Sequence, residues 1–120
     1  MWCARGVPGG VAAAWTNLGG DDVYLSLGGL LDGQARVEYT LTSTAAPGAH
    51  TAGGPPPSSL QDDAAFLNGA LLTVDPTTGL LPEYPIPGRA VQRGSGAPLL
   101  TPAYAYGFAV YPDANVPACA

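Results

Sequence analysis

The sequence contains no lysine and only one histidine, and it has few charged side chains of either sign. Charged residues make up 11% of the chain and the net charge is -5, whereas an ordinary soluble domain has roughly 25% charged residues. Proteins that bind nucleic acid neutralise phosphates with clustered basic side chains, and this sequence has no such cluster. We therefore expect neither nucleic acid nor an anionic membrane surface as a partner.

Long apolar runs are also missing. The longest uncharged apolar stretches, such as Val11-Ala-Ala-Ala-Trp15, are far shorter than the roughly 20 residues of a membrane-spanning helix. The N-terminal residues 1–6 lack the basic stretch and apolar run of a secretory signal. The 17 glycines and 13 prolines among 120 residues disfavour long helices. We expect a single domain over residues 1–120 that does not span a membrane.

Cysteine is limited to Cys3 and Cys119, close to the two ends of the chain. A disulfide between them would close almost the whole chain into a loop and stabilise the fold by about 4–5 kcal/mol on the chain-entropy model. Two unrelated buried thiols are the alternative, because cytosolic cysteines stay reduced. The two residues by themselves leave both possibilities open.

Hydrophobic patterning predicts short strands. Residues 10–31 fit two strands around a turn at 17–22, and residues 34–42 alternate without a break. In that alternating strand Val37 and Tyr39 share one face, and Arg36 and Glu38 share the other. The alternation predicts that the apolar face is buried and the polar face is solvated.

The second half of the chain continues the strand pattern. Asn68-Gly69, between the apolar stretches 64–67 and 70–74, is the dipeptide that favours a type I′ hairpin turn. Prolines confine 80–87 to an edge or irregular segment, and 99–101 and 103–111 are predicted strands. The last of these strands has large side chains on one face and small ones on the other, which suits a position between two layers.

The segment 43–59 is rich in Gly, Pro, Ser and Thr. It is too poor in apolar side chains to pack, so we expect a mobile surface loop. Short strands separated by frequent turn signals, without helical periodicity, favour an all-β fold, specifically an antiparallel β-sandwich.

Few side chains in the sequence could carry out catalysis. His50 lies in the loop 43–59, where a base would not be held in place. A retaining glycosidase needs two carboxylates about 5 Å apart. Glu38 is expected to make an exposed ion pair or none, and Glu83 lies in the proline-rich irregular segment. We therefore expect no catalytic residue in this chain.

Metal sites are also not indicated by the sequence. The doublets Asp21-Asp22 and Asp62-Asp63 lack the alternating oxygen donors of a calcium loop and are expected to serve in turns or caps. Two cysteines and one histidine do not supply the four-ligand spacing of a zinc site. We therefore expect neither a metal nor a cofactor.

Aromatic residues supply a further hypothesis. If they are exposed on a sandwich, they would suit stacking against sugars, as in a carbohydrate-binding module. Packing in a core or an interface is the preferred interpretation, because most of them alternate with other apolar positions. They include Trp2, Trp15, Tyr24, Tyr39, Tyr84, Tyr104, Tyr106 and Tyr111.

The chain ends in the segment Tyr104-Ala-Tyr-Gly-Phe-Ala-Val-Tyr-Pro-Asp-Ala-Asn-Val-Pro-Ala-Cys-Ala120. This segment resembles the C-terminus of heparanases and heparanase-like proteins, which are members of glycoside hydrolase family 79. Three earlier segments resemble the same family in the same order: Arg36-Val-Glu-Tyr-Thr-Leu-Thr42, Phe66-Leu-Asn-Gly69 and Leu80-Leu-Pro-Glu-Tyr-Pro85. Cys3 fits the cysteine that opens the family's C-terminal domain. The resemblance covers nearly the whole chain.

The resemblance implies a non-catalytic domain of an exported, retaining β-glucuronidase that acts on uronic-acid-containing glycans. In that family the catalytic glutamates belong to a (β/α)8 barrel that precedes this region, and Glu38 and Glu83 match neither catalytic motif. The C-terminal β-sandwich packs on the barrel and is linked to stability and secretion, and its cysteine pair maps onto Cys3 and Cys119. Strand material from elsewhere completes the sandwich. An isolated chain is therefore expected to leave an unpaired edge or an uncovered apolar face.

Overall fold

The structure is a computed structural model that describes residues 1–44, 64–81 and 86–120. These residues form β-strands and one turn of 3-10 helix at Pro117–Cys119, and none of them is in an α-helix. The predicted all-β class is confirmed. The strands are β1 (Trp2–Cys3), β2 (Val11–Asn17), β3 (Val23–Leu25), β4 (Arg36–Thr42), β5 (Phe66–Leu67), β6 (Ala70–Leu71), β7 (Arg89–Val91), β8 (Leu99–Thr101) and β9 (Ala105–Tyr111).

The strands make two antiparallel sheets. The main sheet has the order β1-β2-β9-β4-β5-β6, and β7 pairs with β4 beside this path. Strands β3 and β8 form a second, two-stranded sheet. Strand β9 lies between β2 and β4, so the C-terminal strand is the centre of the fold.

The hydrophobic core lies between the main sheet and the elements that cover one of its faces. Small residues of β9 are on this covered face, and the ring of Trp15 from β2 lies over Gly107. Two layers are thus present in the described residues, while a sandwich with a complete second sheet remains a prediction. The core residues are Val11, Trp15, Leu31, Leu99, Ala105, Ala109, Tyr111 and Ala114.

The contact between Trp15 and Gly107 leads to a stability prediction. A Cβ atom at Gly107 would lie 2.6 Å from Cζ2 of Trp15 and would also overlap the Tyr39 carbonyl oxygen. We expect Gly107→Ala to lower the free energy of unfolding by about 1–3 kcal/mol, the usual cost of overpacking. Urea unfolding checks this result. Gly29→Ala is the matched control, because nothing lies within 4 Å of its Cβ position, and an equal loss in both variants would contradict the packing explanation.

The Asn68-Gly69 hairpin forms as predicted. Both residues have positive φ, 49° and 86°, and the turn joins β5 to β6. The Asn68 side chain also accepts a hydrogen bond from the Thr40 N–H at 2.9 Å and donates one to the Glu38 carbonyl at 3.0 Å. The turn residue therefore fixes the hairpin to the edge of β4.

The prediction for the two faces of β4 was wrong. Arg36 and Glu38, which were expected in solvent, are 4% and 3% exposed, whereas Val37 and Tyr39 are only half-buried. The cause is a set of hydrogen-bonding partners from distant parts of the chain, namely the Arg89 guanidinium and the carbonyls of Ala97 and Pro98. These partners let the polar face lie against the second layer.

Other differences concern strand bounds. The last strand begins at Ala105 rather than 103, because Tyr104 has a φ of 50° and belongs to a turn. The short strands β1 and β7 had not been predicted. Most of the predicted loop 43–59 lies outside the described residues, and the single-domain boundary remains a prediction.

Candidate functional site

One face of the main sheet is apolar and carries no charge. Cross-strand partners place Ala14 of β2, Phe108 of β9 and Tyr39 of β4 in one row across the sheet. The neighbouring rows come from the same three strands, and partners in a row point to the same side. We call this surface the open face; its residues are Ala12, Ala14, Thr16, Val37, Tyr39, Leu41, Tyr106, Phe108 and Val110.

The centre of the open face is exposed. Tyr106 is 51% and Phe108 is 42% exposed, although both lie in the middle of the sheet. Trp2 extends the apolar surface past β2, since it pairs with Ala12 and is 54% exposed. The backbone at Gly88 lies against Val37 and Tyr39 at one side of the face.

An apolar cleft continues the surface at the far edge of the sheet. It has a volume of about 190 Å³ and lies between the β5–β6 hairpin and the chain near Pro87. Its wall includes Leu67, the cross-strand partner of Leu41 on the open face. The uncharged surface therefore reaches from Trp2 on β1 to the hairpin.

The opposite face of β4 carries a buried ion cluster. Nε of Arg36 lies 2.7 Å from Oε1 of Glu38, and both side chains are 4% exposed. Oε2 of Glu38 accepts hydrogen bonds from Nε and Nη2 of Arg89, at 3.1 and 2.6 Å. Nη2 of Arg36 donates to the carbonyl oxygens of Ala97 and Pro98, at 2.9 Å each. The cluster therefore joins β4, β7 and the segment before β8.

This geometry corrects the prediction for Glu38. The carboxylate was expected to form an exposed pair or none, but it is buried and both of its oxygens are bonded to arginines. A catalytic carboxylate must reach the substrate, and here that would require breaking both ion pairs in a buried site. Glu83 lies outside the described residues, so no geometry relates it to Glu38.

The two cysteines are joined. Cys3 and Cys119 form a disulfide across a sequence separation of 116, with Cα atoms 5.2 Å apart. The bridge is accompanied by backbone hydrogen bonds between Gly9 N–H and the Cys119 carbonyl, at 2.7 Å, and between Val116 N–H and the Gly9 carbonyl, at 3.0 Å. The two chain ends are thus fastened together beside β2.

The aspartate doublet 21–22 lies between β2 and β3, and its Asp22 side chain joins this segment to the start of the turn before β9. Asp22 Oδ1 accepts the Ala103 N–H at 2.9 Å, and the Asp21 carbonyl accepts a hydrogen bond from Asn17 Nδ2 at 2.8 Å. Within residues 1–44, 64–81 and 86–120, no group of three or more His, Cys, Asp or Glu side chains could hold a metal ion. His50 and Asp62-Asp63 lie outside the described residues.

The aromatic residues divide between core and surface. Trp15 and Tyr111 are buried in the core, as the preferred interpretation expects. Trp2 and Tyr106 lie on or beside the open face, and Tyr24 is 66% exposed on the second sheet. Tyr84 lies outside the described residues.

Comparison with known proteins gives no assignment. A scan against protein-family models finds none that matches the chain, and a search of the curated proteins finds no match either. In the part of the chain that the structure describes, no helix is long and apolar enough to cross a bilayer.

Sequence reasoning missed Arg89 and the open face. Arg89 is 51 residues from Glu38 and 63% exposed, so no local pattern connects the two residues. The alternation of large and small side chains along β9 predicted two different faces of the strand. It did not indicate which of the two faces is covered.

Proposed function

We propose that this chain is the non-catalytic C-terminal β domain of a heparanase-like, retaining β-glucuronidase that acts on uronic-acid-containing glycans. The domain supports the (β/α)8 catalytic barrel and maintains the solubility of the enzyme through secretion. The observation that carries the proposal is the open face, which is the surface that a supporting domain must bury against its neighbour.

The dimensions of the open face fit a macromolecular partner. The three strands that form the open face have seven residues each, and at ordinary spacing they span roughly 15 by 20 Å. That is on the order of 300 Å², which is a substantial part of the apolar centre of an interface that buries about 800 Å² on each side. A surface of this kind lacks the concave shape of a small-molecule site. A sheet face with no charged residue requires an apolar layer on top of it.

The occupant that we assign to the face is the outer surface of the barrel. Helices form the outer ring of a (β/α)8 barrel, and an apolar helix surface can pack against a sheet. The low charge content of the chain agrees with a domain that leaves little of its surface to solvent. The family motifs, in their order along the chain, support this partner rather than a second copy.

The disulfide supports the location of the parent enzyme. Cys3–Cys119 is compatible with an oxidising compartment, because cytosolic glutathione keeps most thiols reduced. We therefore place the parent enzyme in the secretory pathway, outside the cell or in the lysosome.

The coding sequence upstream of Met1 tests the proposal. We expect the reading frame to continue upstream into a (β/α)8 barrel that carries an acid and a nucleophile glutamate. An in-frame stop codon directly upstream, with no barrel-coding exons, would contradict it.

The purified chain is expected to hydrolyse no chromogenic glucuronide, because the proposal places both catalytic glutamates on the barrel. Glu38→Gln and Glu83→Gln are the informative variants. Turnover by the wild-type chain that is abolished in either variant, while circular dichroism shows that the variant is still folded, would show that the chain is itself an enzyme.

A further inference from the structure

A second cleft lies on the covered side of the main sheet, away from the open face. Its volume is about 300 Å³, and it opens between the main sheet and the two-stranded sheet. Leu25, Leu31 and Leu99 give it apolar walls, while Arg36, Tyr111 and Asp32 bring polar groups to it. An apolar cleft with a few converging polar groups is the usual form of a small-molecule site.

The polar groups of this cleft are held in place by other contacts. Glu38 and the carbonyls of Ala97 and Pro98 fix the guanidinium of Arg36. Asp32 accepts hydrogen bonds from the Ser26 hydroxyl and, at 2.9 Å, from the Leu27 N–H. A ligand would meet groups that need little reordering on binding.

Protonation in the cleft follows from these contacts. The hydrogen bond from Ser26, followed by that from Leu27, holds the pKa of Asp32 below its ordinary value of 3.8, so the carboxylate is charged at neutral pH. Burial raises the pKa of the Tyr111 hydroxyl, which therefore keeps its proton and remains a donor. Three charged side chains, Arg36, Glu38 and Asp32, act electrostatically on Tyr111. All three therefore lie near the Tyr111 hydroxyl.

The charges around the cleft balance. Among the residues that line it, Arg36 contributes one positive charge and Asp32 contributes one negative charge. An ionic ligand of either sign finds no net opposite charge in this site. A ligand with several hydroxyl groups suits it better, since each hydroxyl both donates and accepts.

The rim of the cleft adds an aromatic surface. Tyr24 lines the cleft and is 66% exposed. An exposed tyrosine ring provides a rigid apolar surface with a polar end, against which the C–H face of a sugar or cyclic polyol can pack. The cleft volume is at the lower end of the range of about 300–1,000 Å³ for ligand sites, which favours a single ring over a chain.

We propose that the cleft between the two sheets binds one neutral, polyhydroxylated ring, with Tyr24 packed against its apolar face and Arg36, Tyr111 and Asp32 bonded to its hydroxyls. This site does not depend on the proposed function, because it lies on the opposite side of the main sheet from the open face. If the ion cluster of Arg36, Glu38 and Arg89 serves only to join the two layers, the cleft will not bind such a molecule.

Titration of the full chain with methyl β-glucopyranoside, followed by NMR, tests the site. We expect saturable binding with a Kd of about 1–10 mM, as suits the few contacts available to one ring. Shift changes should be confined to residues of the cleft. Tyr24→Ala should weaken binding about tenfold, and Tyr111→Phe, which removes only the hydroxyl, about three- to tenfold.

Tyr106→Ala is the matched control. It removes an equally large aromatic ring at 51% exposure from the open face, and it should leave the Kd unchanged. Unfolding curves of all three variants establish that each one folds. Both Tyr24 and Tyr106 are exposed, so neither substitution removes a core side chain.

Three results would overturn the assignment. The first is the absence of saturable binding up to about 100 mM of the glucoside, tenfold above the weakest Kd expected. The second is loss of binding in Tyr106→Ala but not in Tyr24→Ala, which would move the site to the open face. The third is binding of glucuronate more than about tenfold tighter than the neutral glucoside, which would make the cleft an anion site.

Discussion

Glu38→Gln will lower the free energy of unfolding by about 3–5 kcal/mol, the usual result of removing one partner of a buried ion pair. Glutamine keeps the shape of the side chain but removes its charge. Arg36, which is 4% exposed, then retains a buried positive charge without its carboxylate partner. Urea unfolding at pH 7, compared with the wild-type chain, measures the effect.

Arg89→Gln is the control for this prediction. Arg89 bonds to the same carboxylate, but its side chain is 63% exposed, so solvent screens the interaction and we expect a loss of less than about 1 kcal/mol. A Glu38→Gln variant within about 1 kcal/mol of the wild type would mean that the cluster does not hold the layers together. Equal losses of stability in Glu38→Gln and Arg89→Gln would contradict the explanation that burial of the Arg36–Glu38 pair makes the first loss larger.

Removing the Cys3–Cys119 bridge will lower the free energy of unfolding by about 4 kcal/mol, within a usual range of about 2–5 kcal/mol for native disulfides in small domains. The expected effect is large because the bridge closes a sequence separation of 116, and the restriction of the unfolded chain grows with the length of the closed loop. A Cys3→Ser/Cys119→Ser variant, unfolded in urea beside the wild type, measures the difference.

The reduced wild-type chain is the control for the bridge. It should unfold at the same urea concentration as the double serine variant, since both lack the same covalent link. A non-reducing mass about two protons below that of the reduced chain would report the bond directly. An unfolding midpoint that does not change on reduction would contradict the role of the disulfide.

The local features of the fold could be predicted from the sequence. The Asn68-Gly69 turn depends on two residues that accept positive φ, and the central strands follow from alternation within seven residues. The all-β class follows from these short strands and the many turn signals. In each case the residues that decide the structure are neighbours in the sequence.

The buried ion cluster and the open face could not be predicted in the same way. Arg36 and Glu38 form an alternating polar pair typical of a solvated strand face. They are buried because Arg89 and the carbonyls of Ala97 and Pro98 reach them from more than 50 residues away. Strand β7 was missed for the same reason, because its pairing with β4 is non-local.

The open face presents the opposite case. Tyr106 and Phe108 have the pattern of a buried strand face, and they are exposed because the described residues cover β9 on the other side only. Sequence patterning predicts which residues tend to be buried, but not whether the covering layer is part of the same domain. For a domain that packs on a neighbour, as proposed for this chain, the burial predicted by patterning is complete only in the assembly.

The reactivity of Tyr106 toward a tyrosine-modifying reagent tests the open face most directly when it is measured in the isolated chain and in the longer parent enzyme that we propose. Tyr24, 66% exposed on the other side of the molecule, is the internal control. We expect Tyr106 to react readily in the isolated chain and at least about tenfold more slowly in the parent enzyme, as for a residue buried in an interface, while Tyr24 reacts equally in both. Equal reactivity of Tyr106 in the two proteins would contradict the proposal that a barrel covers this face.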